Sequence, residues 1–138
     1  MARRFLVSGF LVVVVLSLAF GQTVKRTSAP YTSPDSGKQM YKAYCASCHG
    51  LAGKGSGPAA TAMKSPLPDL TQLSKKNGGQ FPADHVAAEI RGDTNNASHG
   101  SAEMPVWGPV FLKVSGSAGQ VQLRVKNLTT YIQSVQEK

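Results

Sequence analysis

Residues 45–49 read CASCH, a stretch that holds both cysteines of a 138-residue chain and one of its three histidines. Two thiols three residues apart, with an imidazole directly after the second, fit three chemistries: a redox dithiol, half of a zinc site, or covalent attachment of haem. The surrounding sequence discriminates. A thioredoxin-type dithiol sits beside a βαβ pattern, whereas here a helical pattern, GKQMYKAYCASC, leads into the motif and glycines leave it. A disulfide across so short a loop would stabilise little. Zinc takes four ligands, and Cys45, Cys48, His85 and His99 would be the set. The two histidines stand fourteen positions apart, where finger-like sites use about three to five, and His49 is left without a role. Covalent haem accounts for all five letters. On a helix, Cys45 and Cys48 project from one face, so both sulfurs reach one edge of a porphyrin, and the neutral imidazole of His49 follows as an axial ligand for the iron.

Working outward, Arg3 and Arg4 precede the apolar stretch FLVSGFLVVVVLSLAF, a charged region followed by a hydrophobic one, as in an export signal. Ala19 and Gly21 are the small residues before a cleavage point at Gln22, and Ser17 and Ala19 offer a second one. The sixteen residues Phe5 to Phe20 fall just short of the ~17–25 that span a bilayer, so an uncleaved membrane anchor is the alternative. Export predicts a periplasmic location, or anchoring to the outer face of the inner membrane. Losing residues 1–21 removes Arg3 and Arg4 and leaves 13 basic residues against 7 acidic ones. That balance suits encounters with acidic partners. The basic residues are scattered singly, which argues against nucleic acid.

Residues 22–34, QTVKRTSAPYTSP, lack apolar periodicity and read as a flexible linker, so the domain is placed at 35–138. Ser36 caps a helix with Met40, Tyr41, Tyr44 and Cys48 on one face. HGLAGKGSGP breaks it and reads as a loop that travels close to something. LTQLSKKNGG and FPADHVAAEIRGD each read as a short helix, the second closed by Gly92. A polar loop runs from Asp93 to Gly108. In the last segment, GQVQLRVKNLTTYIQSVQEK, Val121, Val125, Leu128, Ile132 and Val135 recur at steps of four and three, an amphipathic helix. No strand pattern or repeat is present, so the expected fold is small and all-α, with long loops that wrap a ligand.

Haem ligated by His49 alone has an open sixth position, and Met40, Met63, Met104, His85 and His99 are the candidates to close it. Met40 lies on the same helix as the motif. Met63 follows His49 by only fourteen residues and reads as a core or loop methionine. Met104 lies in a loop directly before Pro105, which keeps its backbone out of a helix and suits a ligand. His99 fits a loop hydrogen bond as well as a ligand, and His85 fits a surface position. Trp107 fits a hydrogen bond to a haem propionate as well as plain packing.

CASCH, the helix carrying Gly37 and Tyr41, the GLAGKGSGP loop, the HGSAEMPVWG loop and a last helix with Leu128 and Tyr131 together resemble a class I c-type cytochrome over residues 35–136. The resemblance implies a cytochrome c-like domain around one covalently attached haem c, with His49 and Met104 as axial ligands. It implies that the N- and C-terminal helices cross, with Gly37 at the close approach and Tyr131 packed there. It also implies that the carbonyl of Pro58 accepts a hydrogen bond from His49. The expected function is single-electron transfer between periplasmic or membrane-bound redox partners, by a protein that is not itself an enzyme. A five-coordinate haem that binds small ligands or peroxide is one alternative. A haem subunit of a larger oxidoreductase complex is another.

Overall fold

The computed structural model describes residues 28–94 and 104–138, and every regular element among them is helical. The leader, the histidine at position 99 and the rest of residues 95–103 lie outside the described residues. The N-terminal helical run opens with α1, Gly37–Met40, where the Ser36 hydroxyl accepts from the Gln39 N–H at 3.2 Å as expected of a cap. It continues through a π-helical turn, Tyr41–Cys45, and ends in α2, Ala46–His49. The sequence predicts an uninterrupted α-helix here. Instead the Ala46 N–H reaches back to the Tyr41 carbonyl, one residue further than α-helical pairing. Wide turns of this kind occur as single insertions, frequently at functional sites. This one sits where the run changes neighbours. Tyr41 packs its ring on Tyr131 at 5.2 Å, while Tyr44 packs on Trp107 and Phe111 at 5.1 and 5.6 Å.

A helix end leaves its last four carbonyls without helical donors. The glycine-rich loop supplies all four for α2: Gly50 N–H donates to Ala46, Ala59 to Ser47, Gly57 to Cys48 and Gly55 to His49, at 2.8–2.9 Å. A Cβ at Gly57 would stand 2.4 Å from the Ser47 oxygen and 2.6 Å from that of Cys48. The object this loop travels close to is therefore the end of the haem-motif helix itself. A second close approach lies at the other end of the run, where a Cβ on Gly37 would come within 2.1 Å of the Asn127 oxygen and 2.8 Å of Tyr131 Cβ. Only glycine lets the first helix cross the last one at this depth, as the resemblance implied.

Two short 3-10 turns, Ala60–Ala62 and Leu70–Gln72, lead to α3, Leu73–Lys76, and then to α4, Ala83–Arg91, with Gly92 left-handed at its end. The loop expected up to Gly108 gives way earlier to a further helix, α5, Trp107–Ser115. Gly108 and Pro109 look like breakers in the sequence. They fall in the first turn, however, where backbone N–H groups have no helical acceptor and proline is tolerated. The longest helix, α6, Ala118–Ser134, begins at Ser117, whose hydroxyl accepts from the Gln120 N–H. It is the centre of the fold, with α1, α4 and α5 packed on it. Met40, Phe111 and Leu128 are completely buried, with Val125, Ile90 and Ile132 beside them. Truncating Leu128 to Ala in such a core would cost ~2–5 kcal/mol.

The linker assigned to residues 22–34 is packed onto the domain over the part described. Pro30 accepts from the Tyr44 hydroxyl at 2.6 Å, Thr32 contacts the same hydroxyl at 2.9 Å, and Pro34 accepts from Asn127 at 2.9 Å. These partners lie outside the segment itself, 12 to 93 positions along the chain, which is why Ser, Thr and Pro without periodicity look like a tether. Residues 28–34 are better described as a strap.

Candidate functional site

One cleft of about 280 Å³ gathers most of the residues singled out in the sequence. Cys45, Cys48, His49, Met104 and Trp107 all line it, together with Met63, Leu67, Tyr44, Pro105 and the strap residues Ala29 and Pro30. Its walls are mainly apolar, as an organic macrocycle requires. The π turn and α2 bring both sulfurs to one wall, and neither cysteine is disulfide-bonded. Burial, and secondarily the neighbouring Cys48, pushes the Cys45 thiol up to about 12. A redox dithiol needs the opposite shift, toward thiolate at neutral pH.

His49 is buried, and its Nδ1 has no hydrogen-bond partner. Burial holds its pKa below the ordinary histidine value, and contact with the Pro68 backbone partly offsets this. Proline has no N–H, so that contact is with the carbonyl. It favours the charged ring without meeting hydrogen-bond geometry at Nδ1. The proline that attends His49 is therefore Pro68 and not Pro58. Both prolines are exposed, and Pro58 follows Gly57, whose N–H is bound to the Cys48 carbonyl at the end of α2. The Pro68 stretch is anchored from the other end of the chain. Leu70 N–H donates to Gly53, Gln136 donates to Leu70 at 2.7 Å, and Glu137 N–H donates to Thr71 at 2.9 Å.

Met104 is 37 % exposed and lines the cleft beside Pro105 and Trp107. Met63, expected to be a plain core or loop methionine, faces the same cleft. It sits in extended backbone just after the Ala60–Ala62 turn, so a short detour is enough to reach it. Trp107 packs on Tyr44 and Phe111, the plain packing the sequence allowed, and it also lines the cleft. His85 stands on α4 opposite Glu89 at 3.7 Å and is not part of the cleft lining. The sequence alone did not disclose Pro68 or the strap, and it ranked Met63 as a plain core or loop methionine. PLPDL was a signal for the first, since it supplies two further prolines after the glycine loop.

The residues present fit a covalently held haem: two free thiols and an imidazole on one wall, thioethers on the cleft lining, and a buried ring nitrogen awaiting an acceptor. The family model for cytochrome c matches residues 34–136. No curated protein and no solved structure matches the chain. With CASCH at the cleft wall and the family match spanning nearly the whole helical domain, the chain belongs to the cytochrome c family and is a haem-binding electron-transfer protein carrying covalent haem c.

Proposed function

We propose that the protein is a single-electron carrier with His49 and Met104 as axial ligands, working outside the cytoplasm between redox partners with acidic surfaces. The observation that carries the reading is the shared cleft, in which His49, both cysteines and Met104 line one apolar space. When bound, haem supplies an iron that cycles between ferric and ferrous states. The chain's own residues do the rest. Cys45 and Cys48 would hold the ring through thioethers. His49 is kept neutral by burial and so presents a free lone pair, and a small movement of the Pro68 carbonyl would take up its Nδ1–H and fix the ring orientation. Met104 offers a soft donor that suits the ferrous state. Leu67, Tyr44, Pro30 and Trp107 give the cleft apolar walls that would shield the ring from water.

Two protein ligands kept in both oxidation states leave substrate no coordination site, which is the property of a carrier. A second reading, in which Met63 provides the thioether, draws on its place in the same cleft. Pro105 beside Met104 and the MPVWG pattern favour Met104. The leading apolar stretch supports export, with cleavage near Gln22. Exposed Lys38, Lys42, Lys64, Lys75 and Lys76 support acidic partners.

The test is spectroscopy on holoprotein matured in an exporting host. Low-spin ferric haem, a reversible one-electron titration and no reaction of the ferrous form with carbon monoxide are expected. Rapid carbon monoxide binding would replace the carrier by a five-coordinate ligand-binding protein.

A further inference from the structure

Arg124 is the one basic residue fully enclosed among the described residues, at 1 % exposure. It has no carboxylate partner among them. Its Nε donates to the Ser115 hydroxyl at 2.6 Å, one terminal nitrogen to the Thr32 hydroxyl at 3.1 Å, and the other to the Thr32 carbonyl at 2.7 Å. The rings of Tyr31 and Phe111 lie 5.4 and 5.9 Å from the guanidinium carbon. All these partners are neutral, so among the described residues the positive charge is solvated by hydrogen bonds and no carboxylate cancels it. Burying such a charge is costly, and a fold that only needed to pin the strap could do so with a neutral donor.

The position of Arg124 suggests what the charge does. Phe111 touches Tyr44 and Trp107 at 5.6 Å each, and those two rings line the haem cleft. Thr32, held by Arg124, also contacts the Tyr44 hydroxyl. One aromatic layer therefore separates a fixed cation from the cofactor. A charge acts more strongly across such a buried, low-dielectric layer than across water, and salt screens it far less than it screens the exposed lysines.

We propose that Arg124 is a positioning charge for electron transfer, biasing the haem toward its reduced state through the Phe111, Tyr44 and Trp107 layer. The reduced centre carries one positive charge fewer, so a nearby cation favours it. This rests on the carrier reading, and the two fail differently. Loss of a reversible couple removes the carrier. A normal couple that ignores Arg124 removes this inference alone.

The experiment compares midpoint potentials of holoprotein variants by spectroelectrochemistry, with chemical denaturation alongside. Arg124→Gln should lower the midpoint, shifting the reduction equilibrium severalfold, while Arg124→Lys should keep most of it. Ser115→Asp retains the guanidinium but sets an anion beside Nε. It should lower the midpoint while raising stability, an opposite movement that a purely structural role would not produce. Ser115→Ala should lose stability and leave the midpoint in place. If Arg124→Gln does not fold, Ser115→Asp and Ser115→Ala decide alone. Unmoved potential in Ser115→Asp, or equal shifts in the two Ser115 variants, overturns the proposal.

Discussion

The two halves of the N-terminal helical run make opposite kinds of interface. Its first half is finished by protein: Gly37 seats against the Asn127 backbone, Met40 is completely buried, and Tyr41 packs on Tyr131 while its hydroxyl donates to the Gly50 carbonyl at 2.8 Å. Its second half faces a cleft with two free thiols and a buried imidazole nitrogen lacking a partner. The π turn is the joint between them. One helix thus carries a self-sufficient contact and a contact that needs a cofactor. Changes in the first half should move stability and leave the haem spectrum alone, and changes in the second half should alter haem attachment and spectrum.

The largest effect is expected from removing the attachment. Cys45→Ala with Cys48→Ala should abolish covalent haem entirely, so that denatured protein on a gel shows no haem peroxidase stain and the colour extracts into acidic acetone. Retained stain would break the comparison at its foundation, because the chain has no other thiol to bond the haem.

Next comes the thioether on the cleft lining. Met104→Ala should eliminate the weak long-wavelength absorption of sulfur-ligated ferric iron, lower the midpoint potential and let ferrous protein bind carbon monoxide. Met63→Ala should do none of these. Exchange of the two phenotypes would transfer the ligand role to Met63, which the cleft geometry accommodates.

What the sequence disclosed tracks how local each signal is. The Ser36 cap and the spacing of Val121, Val125, Leu128 and Ile132 are decided by residues within a turn or two of one another, and each appears where expected, while CASCH and Met104 both reach the cleft lining. The strap was illegible because its bonds join residues 92 and 93 positions apart, such as Thr32 to Arg124 and Pro34 to Asn127. The exchange of Pro58 for Pro68 has the same origin. Which proline meets His49 depends on the path of the loop, and that path is fixed by Gly57 on α2 and by the C-terminal residues 136 and 137. The π turn differs from an α-helix by one residue of pairing, which side-chain spacing does not encode. Helix α5 was hidden by a Gly-Pro pair that is disruptive mid-helix and harmless in a first turn.

Gly37→Val tests the finished half. A branched side chain there meets the Asn127 backbone, where even a single Cβ would stand at 2.1 Å. Overpacking typically costs ~1–3 kcal/mol, and backbone cannot step aside as a side chain can, so the upper end of that range is expected. Denaturation should show the loss while the ferric and ferrous spectra stay as in the parent. Unchanged stability would mean that the helices do not cross at this depth. Altered haem ligation would mean that the two halves are not separable.

The smallest effect is expected at the joint. Tyr41 is 3 % exposed and its hydroxyl donates to the carbonyl of Gly50, the residue that turns the chain out of α2. Removing that oxygen in Tyr41→Phe should cost about 1 kcal/mol near neutral pH, the net value of a typical hydrogen bond plus the unmet carbonyl. Burial first, then neighbouring negative charge, pushes the phenol from its ordinary 10.0 up to about 12. The sign follows from linkage. The folded protein holds this proton more tightly than the unfolded chain, so the contribution is complete below pH 10 and is lost as pH rises toward 12. The stability difference between parent and Tyr41→Phe should therefore be flat from neutrality to about pH 9 and shrink above 10. Thioether formation at Cys45 removes one listener to that charge but leaves burial, the leading cause, in place. Denaturation curves for the two holoproteins across this range provide the measurement. A gap that stays constant above pH 10 would show that the folded protein does not bury this hydroxyl away from water.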